Sequence, residues 1–231
     1  MRRYKSRMRA SLLGLSLTVL TAAVVSVSPS RGQNAPERDA IVSELSHFDT
    51  APELDITALR QRVLEKSRSR TRNEPEPSKR PLIVPELTGL PTFNLDIHFD
   101  TDTPVVRPDS YQTVGRLADA LVNAQLLPYT FLIVGHSDST GRREANVILS
   151  QRRADAIRDV LVNTFKISAK RLQSLGLGEE QFIDQAHPTS PTNLQIQIVT
   201  IGKLPEPSEQ PGQTATAAAP PKPAKKSAKK K

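Results

Sequence analysis

Cysteine is absent from all 231 residues. That excludes a disulfide framework, a thiolate metal site, a cysteine nucleophile and lipid attachment through an N-terminal thioether. Acid is absent from the apolar run at residues 10–27, so a spanning helix made from it would hold no carboxylate for a proton relay. The stretch before Pro81 lacks the repeated ten-residue alternating strands of a membrane barrel. The central region also lacks the basic excess that the formal charge of +8 suggests. Arg2, Arg3, Lys5, Arg7 and Arg9 crowd one end, and Lys222, Lys225, Lys226, Lys229, Lys230 and Lys231 crowd the other. Residues 82–204 hold 11 basic and 13 acidic residues. The folded part is therefore not a basic nucleic-acid platform.

The first 32 residues read as an export signal: a basic stretch to Arg9, an apolar run, then small and polar residues. Cleavage is expected after Ser28 or near Gly32. An uncleaved anchor is the alternative, since such anchors need roughly 17 to 25 apolar residues. Residues 33–81 form a polar, partly helical segment. One short helix is expected near Glu37 to Leu45, and a better one from Asp55 to about Lys66. Asp55 suits an N-cap there, and Ile56, Leu59, Val63 and Leu64 recur at helical spacing. The run SRSRTRNEPEPSKRP that follows has the composition of a disordered linker. The tail at 205–231 is rich in Pro, Ala and Lys without periodicity, and is read as disordered.

Residues 82–204 have the length of one globular domain. Leu95, Ile97 and Phe99 alternate as one face of a strand. Pro108 and Asp109 open a helix with the apolar stripe Val114, Leu117, Ala118, Leu121 and Val122. A buried strand follows at Thr130 to Val134, then a helix from about Arg143 to Thr164, a short strand near Leu172 to Leu175, and an alternating strand from Gln195 to Ile201. Strands alternating with helices argue for an α/β two-layer sandwich.

The chemistry concentrates in GHSDSTGRREANVILSQRRA, from Gly135 to Ala154. A charged turn leaves an apolar strand and enters a helix bearing Asn146, Ser150 and Arg153 at helical spacing. A strand-end carboxylate and a guanidinium on the next helix can converge on one small zwitterion through charge-assisted hydrogen bonds. Exposed backbone N–H groups at the helix start add donors for an anion. Arg142, Arg143 and Arg152 read as solvated helix residues.

Ser137, His136 and Asp138 also supply the residue types of a hydrolase triad. However, a nucleophile elbow needs glycine two residues after the serine, where this chain has Ser139. Adjacent strand residues also point to opposite faces. No enzyme activity, cofactor or metal is expected. His47, His98, His136 and His187 are too scattered for a metal site; hydrogen bonding is the expected role of His98 and His136. A nucleic-acid role for the lysine tail is the remaining alternative, and anionic envelope polymers or lipid headgroups fit an exported tail better.

With GHSDSTG, Asn146, LSQRRA from Leu149 to Ala154 and GLGEE from Gly176 to Glu180 in place, the chain resembles the OmpA-like peptidoglycan-binding domain over about Ile97 to Ile201. The resemblance implies the OmpA-like C-terminal domain fold, a mixed four-stranded sheet packed by helices in an α+β arrangement. It implies binding of the diaminopimelate group of peptidoglycan, with Asp138 and Arg153 as the clamp and Asn146 as the helix asparagine. It places the protein in the periplasm and cell envelope, associated with the outer membrane. The family commonly has Asn-Arg-Arg before the last strand. Here Asn193, Leu194 and Gln195 stand there, so this chain lacks the two arginines that would make wall contacts at that place.

Overall fold

Alternating apolar residues become register in a sheet of four strands: β1 (Thr92–Leu95), β2 (Tyr129–His136), β3 (Leu172–Gly178) and β4 (Ile196–Lys203). These strands belong to a computed structural model that describes residues 37–48, 54–69, 74–76 and 79–204. The expected export signal and lysine-rich tail lie outside the described residues. The spatial order is β1-β4-β2-β3. β4 is antiparallel to both neighbours, with Leu95 opposite Ile196 and Ile133 opposite Ile198. β2 and β3 run parallel, Val134 opposite Leu175. A parallel pair requires a crossover, and the helix at Arg143–Asn163 supplies it. The expected mixed, four-stranded α+β sheet is the one that forms.

The first strand lies upstream of its expected place: alternation put it over Leu95 to Phe99, whereas Thr92–Leu95 forms it and only Leu95 is shared. Its ladder stops at Leu95, opposite the first residue of β4, and the Ile97 amide turns back to the Leu95 carbonyl. Ile97 stays buried all the same, and Phe99 makes only an isolated bridge with Val106. Alternation reported the buried face; the partner strand set the length.

Among the described residues, four α-helices pack the sheet: α1 (Arg38–Ser46), α2 (Ile56–Arg68), α3 (Tyr111–Leu121) and α4 (Arg143–Asn163). Leu117 and Leu121 of α3, Ile157 and Leu161 of α4, and Ile41 and Leu45 of α1 share one core with Phe131, Ile133 and Ile198. Ile56, Leu59 and Val63 of α2 form a second core with Leu132, Val134, Leu175 and Val199. Successive strand residues face opposite sides, so β2 and β4 are buried on both faces. Beyond the expected sheet-and-helix layers, α2 therefore covers the other face of the sheet. Asp55 starts α2 as expected, its carboxylate accepting from the Thr57 and Ala58 amides at 2.9 and 3.0 Å.

Packing also begins well before Leu82, where composition placed the domain boundary. Thr200 Oγ1 donates to the Leu45 carbonyl at 2.8 Å, and Arg60 donates to the Ser174 carbonyl at 2.7 Å. These two bonds pin α1 to β4 and α2 to β3. Polar composition hid this, because only one stripe of each short helix is apolar.

Candidate functional site

The site begins where β2 runs out. The Ser137 amide donates to the Gly178 carbonyl at 3.0 Å, and the chain then leaves the sheet as a loop of five residues before α4. Asp138 shapes that loop. Its Oδ1 accepts from the Thr140 amide at 3.1 Å and the Thr140 hydroxyl at 2.6 Å, the side-chain-to-backbone turn that Asp favours.

Asn146, on the first turns of α4, holds the loop from the other side. Its Nδ2 donates to the Thr140 carbonyl at 2.8 Å, the Asp138 carbonyl at 3.3 Å and Glu179 Oε2 at 2.8 Å. That amide nitrogen is committed to protein acceptors and ties the loop to α4. Ser150 has a similar internal role: its buried hydroxyl accepts from the Gly178 amide at 2.9 Å and donates to the Val147 carbonyl at 3.0 Å.

Two glycines bring α4 close enough for this. A β-carbon on Gly135 would lie 2.2 Å from the Ser150 carbonyl oxygen. One on Gly176 would lie 2.2 Å from the Gln151 amide nitrogen. Both contacts are with helix backbone, which has no rotamer with which to yield. The helix therefore lies directly on β2 and β3, and Arg153, two turns beyond Asn146, arrives beside the strand-end loop.

Arg153 is partly buried. Its Nε donates to the Thr103 carbonyl at 3.1 Å, and its guanidinium carbon sits 5.0 Å from the Phe99 ring centroid, within cation–π range. Burial lowers its pKa, while the charges of Asp102 and Asp138 oppose that shift. Among the described residues, no carboxylate lies within ion-pair distance of Arg153. Asp138 and Arg153 thus line one open cleft of about 660 Å³ without being paired to each other. Asn146 lines it too, so all three sequence-predicted site residues meet there. Phe99, Ala145, Ile148, Leu149 and Leu194 supply its apolar part. A smaller recess of about 240 Å³ shares Phe99, Arg153 and Leu194 and adds His98 and Arg107.

Several contributors were not legible beforehand. Asp102 lines the cleft in the left-handed region, φ 55°. The run DTDTP signals a turn, but only sheet order shows that this turn faces α4. Arg143, read as solvated, has a side chain 11% exposed; it pairs with Glu180 and donates to Glu74 at 2.6 Å. Glu74 lies in the stretch expected to be a disordered linker, yet its side chain is 8% exposed. Burial, the largest single influence, would raise its pKa, but the hydrogen bond and charge of Arg143, with Lys66 and Arg80, hold the carboxyl below its ordinary value. Arg142 and Arg152 are exposed as expected and line the cleft. Asn193, completely buried, accepts from the Asp184 amide and donates to the Asp184 and His187 carbonyls, which leaves Leu194 at the cleft rim.

The geometry around His136 is unlike that of a catalytic pair. His136 is 3% exposed, and its Nδ1 donates to the Gln181 carbonyl at 2.8 Å, with burial holding the ring neutral. Ser137 donates to the Asp138 carbonyl at 3.2 Å, away from the imidazole.

Fold and cleft together define an α+β domain with an open, charged cleft where its parallel strands end. Residues 98–193 match the model of the OmpA family, so the chain carries an OmpA family domain. It is 36% identical over 97 residues to an outer membrane porin F of Pseudomonas aeruginosa, covering 42% of this chain and 27% of that protein. It is 39% identical over 85 residues to a peptidoglycan-associated lipoprotein of Mesorhizobium japonicum, covering 37% and 49%. The chain thus spans from about a quarter to about half the length of these curated relatives. Among solved structures, the peptidoglycan-associated lipoprotein of Burkholderia pseudomallei is similar with a TM-score of 0.38 and 23% identity, over 46% of this chain and 86% of that one.

Proposed function

We propose that this protein binds peptidoglycan without catalysis and tethers the cell envelope to the wall. One observation carries the reading: Asp138 and Arg153 line a single open cleft and are not paired to each other. The ligand that fits is the free end of diaminopimelate, one carbon bearing an ammonium and a carboxylate. Asp138 accepts the ammonium, and Arg153 donates to the carboxylate from a guanidinium whose Nε is already fixed on Thr103. Each charged hydrogen bond contributes about 1.5 to 3 kcal/mol, a reversible grip that repetition along a polymer multiplies.

Names among the relatives support the wall reading, since one is a peptidoglycan-associated lipoprotein and another an outer membrane porin. The same names favour the periplasmic side of the outer membrane. Burial of His136 and the orientation of Ser137 speak against the hydrolase alternative. The lysine-rich tail is assigned to anionic envelope polymer or lipid headgroups rather than nucleic acid. The test is co-sedimentation with purified diaminopimelate-type peptidoglycan. Wild type pellets with the wall, whereas Asp138→Ala and Arg153→Ala stay in solution, although each still unfolds cooperatively within a few degrees of wild type. Equal pelleting of all three would remove the assignment.

A further inference from the structure

Beneath the Asp138 loop lies a cluster of charges that the binding reading does not use. Glu74 Oε2 accepts from Arg143, the first residue of α4, at 2.6 Å. Arg143 also pairs with buried Glu180. Glu74 Oε1 lies 3.3 Å from Lys66 Nζ and 3.8 Å from Arg80 Nε. Arg80 continues to Glu179 at 3.5 Å, and Glu179 accepts from the Asn146 amide that holds the Thr140 and Asp138 carbonyls. Two routes therefore run from the stretch after α2 to the loop. One enters through the first residue of α4, the other through Glu179 and Asn146.

We infer that Glu74 and Arg80 are positioning residues for the ligand-binding loop, so that the grip at Asp138 is set from a stretch more than fifty residues upstream. This inference rests on the proposed peptidoglycan reading. Stability alone accounts poorly for the cluster. Replacing a buried ion network by apolar residues is often neutral or stabilising, because desolvation offsets the Coulombic gain. Orientation accounts for it better. Asn146 donates to Glu179 Oε2 at 2.8 Å, and the Arg80 charge, 3.5 Å from Glu179 Oε1, favours the ionised carboxylate in that place. Arg143, with carboxylates on two sides, cannot turn toward the cleft and compete with the ligand for Asp138.

The test uses the full chain, labelled with nitrogen-15, and a soluble muropeptide carrying a free diaminopimelate end. In the ligand-free protein, Glu74→Ala shifts the Asn146 side-chain amide and the Thr140 backbone amide. It also weakens muropeptide binding about fivefold to tenfold, part of one charged hydrogen bond. Glu74→Gln, which keeps an acceptor for Arg143, recovers most of the affinity. Arg60→Ala is the control. It removes the link from α2 to the Ser174 carbonyl and lowers the unfolding temperature, yet leaves those amides and the affinity unchanged. Unmoved amide signals in Glu74→Ala, or equal losses in Arg60→Ala, overturn the inference. If the amides move but wild type fails to bind muropeptide, the link to the loop stands and the ligand reading falls.

Discussion

Asp138→Asn isolates the charge at the centre of the site. The amide keeps an oxygen that accepts from the Thr140 amide and hydroxyl, as Oδ1 does now at 3.1 and 2.6 Å, so the loop retains its turn. What is lost is the negative charge offered to the ligand ammonium. Asp138 is only half-buried, so the lower part of the charged hydrogen-bond range applies, about 1.5 to 2 kcal/mol or roughly 10- to 30-fold in Kd. Asp138→Ala costs the same charge and the turn as well. It therefore loses further affinity and about 1 kcal/mol of stability, the size of a lost cap.

Calorimetric titration with a diaminopimelate muropeptide measures the affinities, and urea unfolding measures the stabilities. A stem peptide with lysine in place of diaminopimelate completes the design, because it keeps the ammonium and lacks the carboxylate. Wild type should discriminate against it by about tenfold or more, and Arg153→Ala should bind both peptides alike. An Asp138→Asn variant that binds as tightly as wild type would refute the ammonium assignment. Discrimination that survives Arg153→Ala would refute the carboxylate assignment.

Other outcomes follow from the fold. Gly135→Ala places its methyl group against the Ser150 carbonyl and should lower stability by about 1 to 3 kcal/mol or more in urea unfolding; a neutral result would mean that α4 is free to lift. Leu59→Ala, in the core beneath α2, should cost about 2 to 5 kcal/mol, as in other cores, whereas a loss under 1 kcal/mol would make α2 an appendage. Stability should also fall with acidification below pH 6.5. Burial depresses the His136 pKa from its ordinary 6.5, so the unfolded chain binds the proton first. Stability contributed by a neutral His136 is complete above pH 6.5 and is lost progressively below it. The slope from this one group reaches at most about 1.4 kcal/mol per pH unit, and unfolding of His136→Gln between pH 5 and 7 should lack it.

What the sequence reveals and what it conceals divide along a physical line. That Asp138, Asn146 and Arg153 line one cleft is legible because they lie on consecutive elements, a turn and the helix it feeds, and helical spacing puts Asn146 and Arg153 on one face. Leu117, Ile133 and Ile198 are legible for a similar reason, since burial of one face imposes a period. Asp102, Glu74 and Arg80 reach the loop region only through the order β1-β4-β2-β3 and the seating of α2, which no local period encodes. Glu74 is the clearest case. Its neighbours are polar, charged and proline-rich, the composition of a chain that cannot bury enough apolar surface to fold alone. It need not fold alone, because Arg143 and Lys66 stand ready on two helices already fixed by their own cores. Composition measures what a segment can bury by itself. It is blind to a charge that waits elsewhere in the fold.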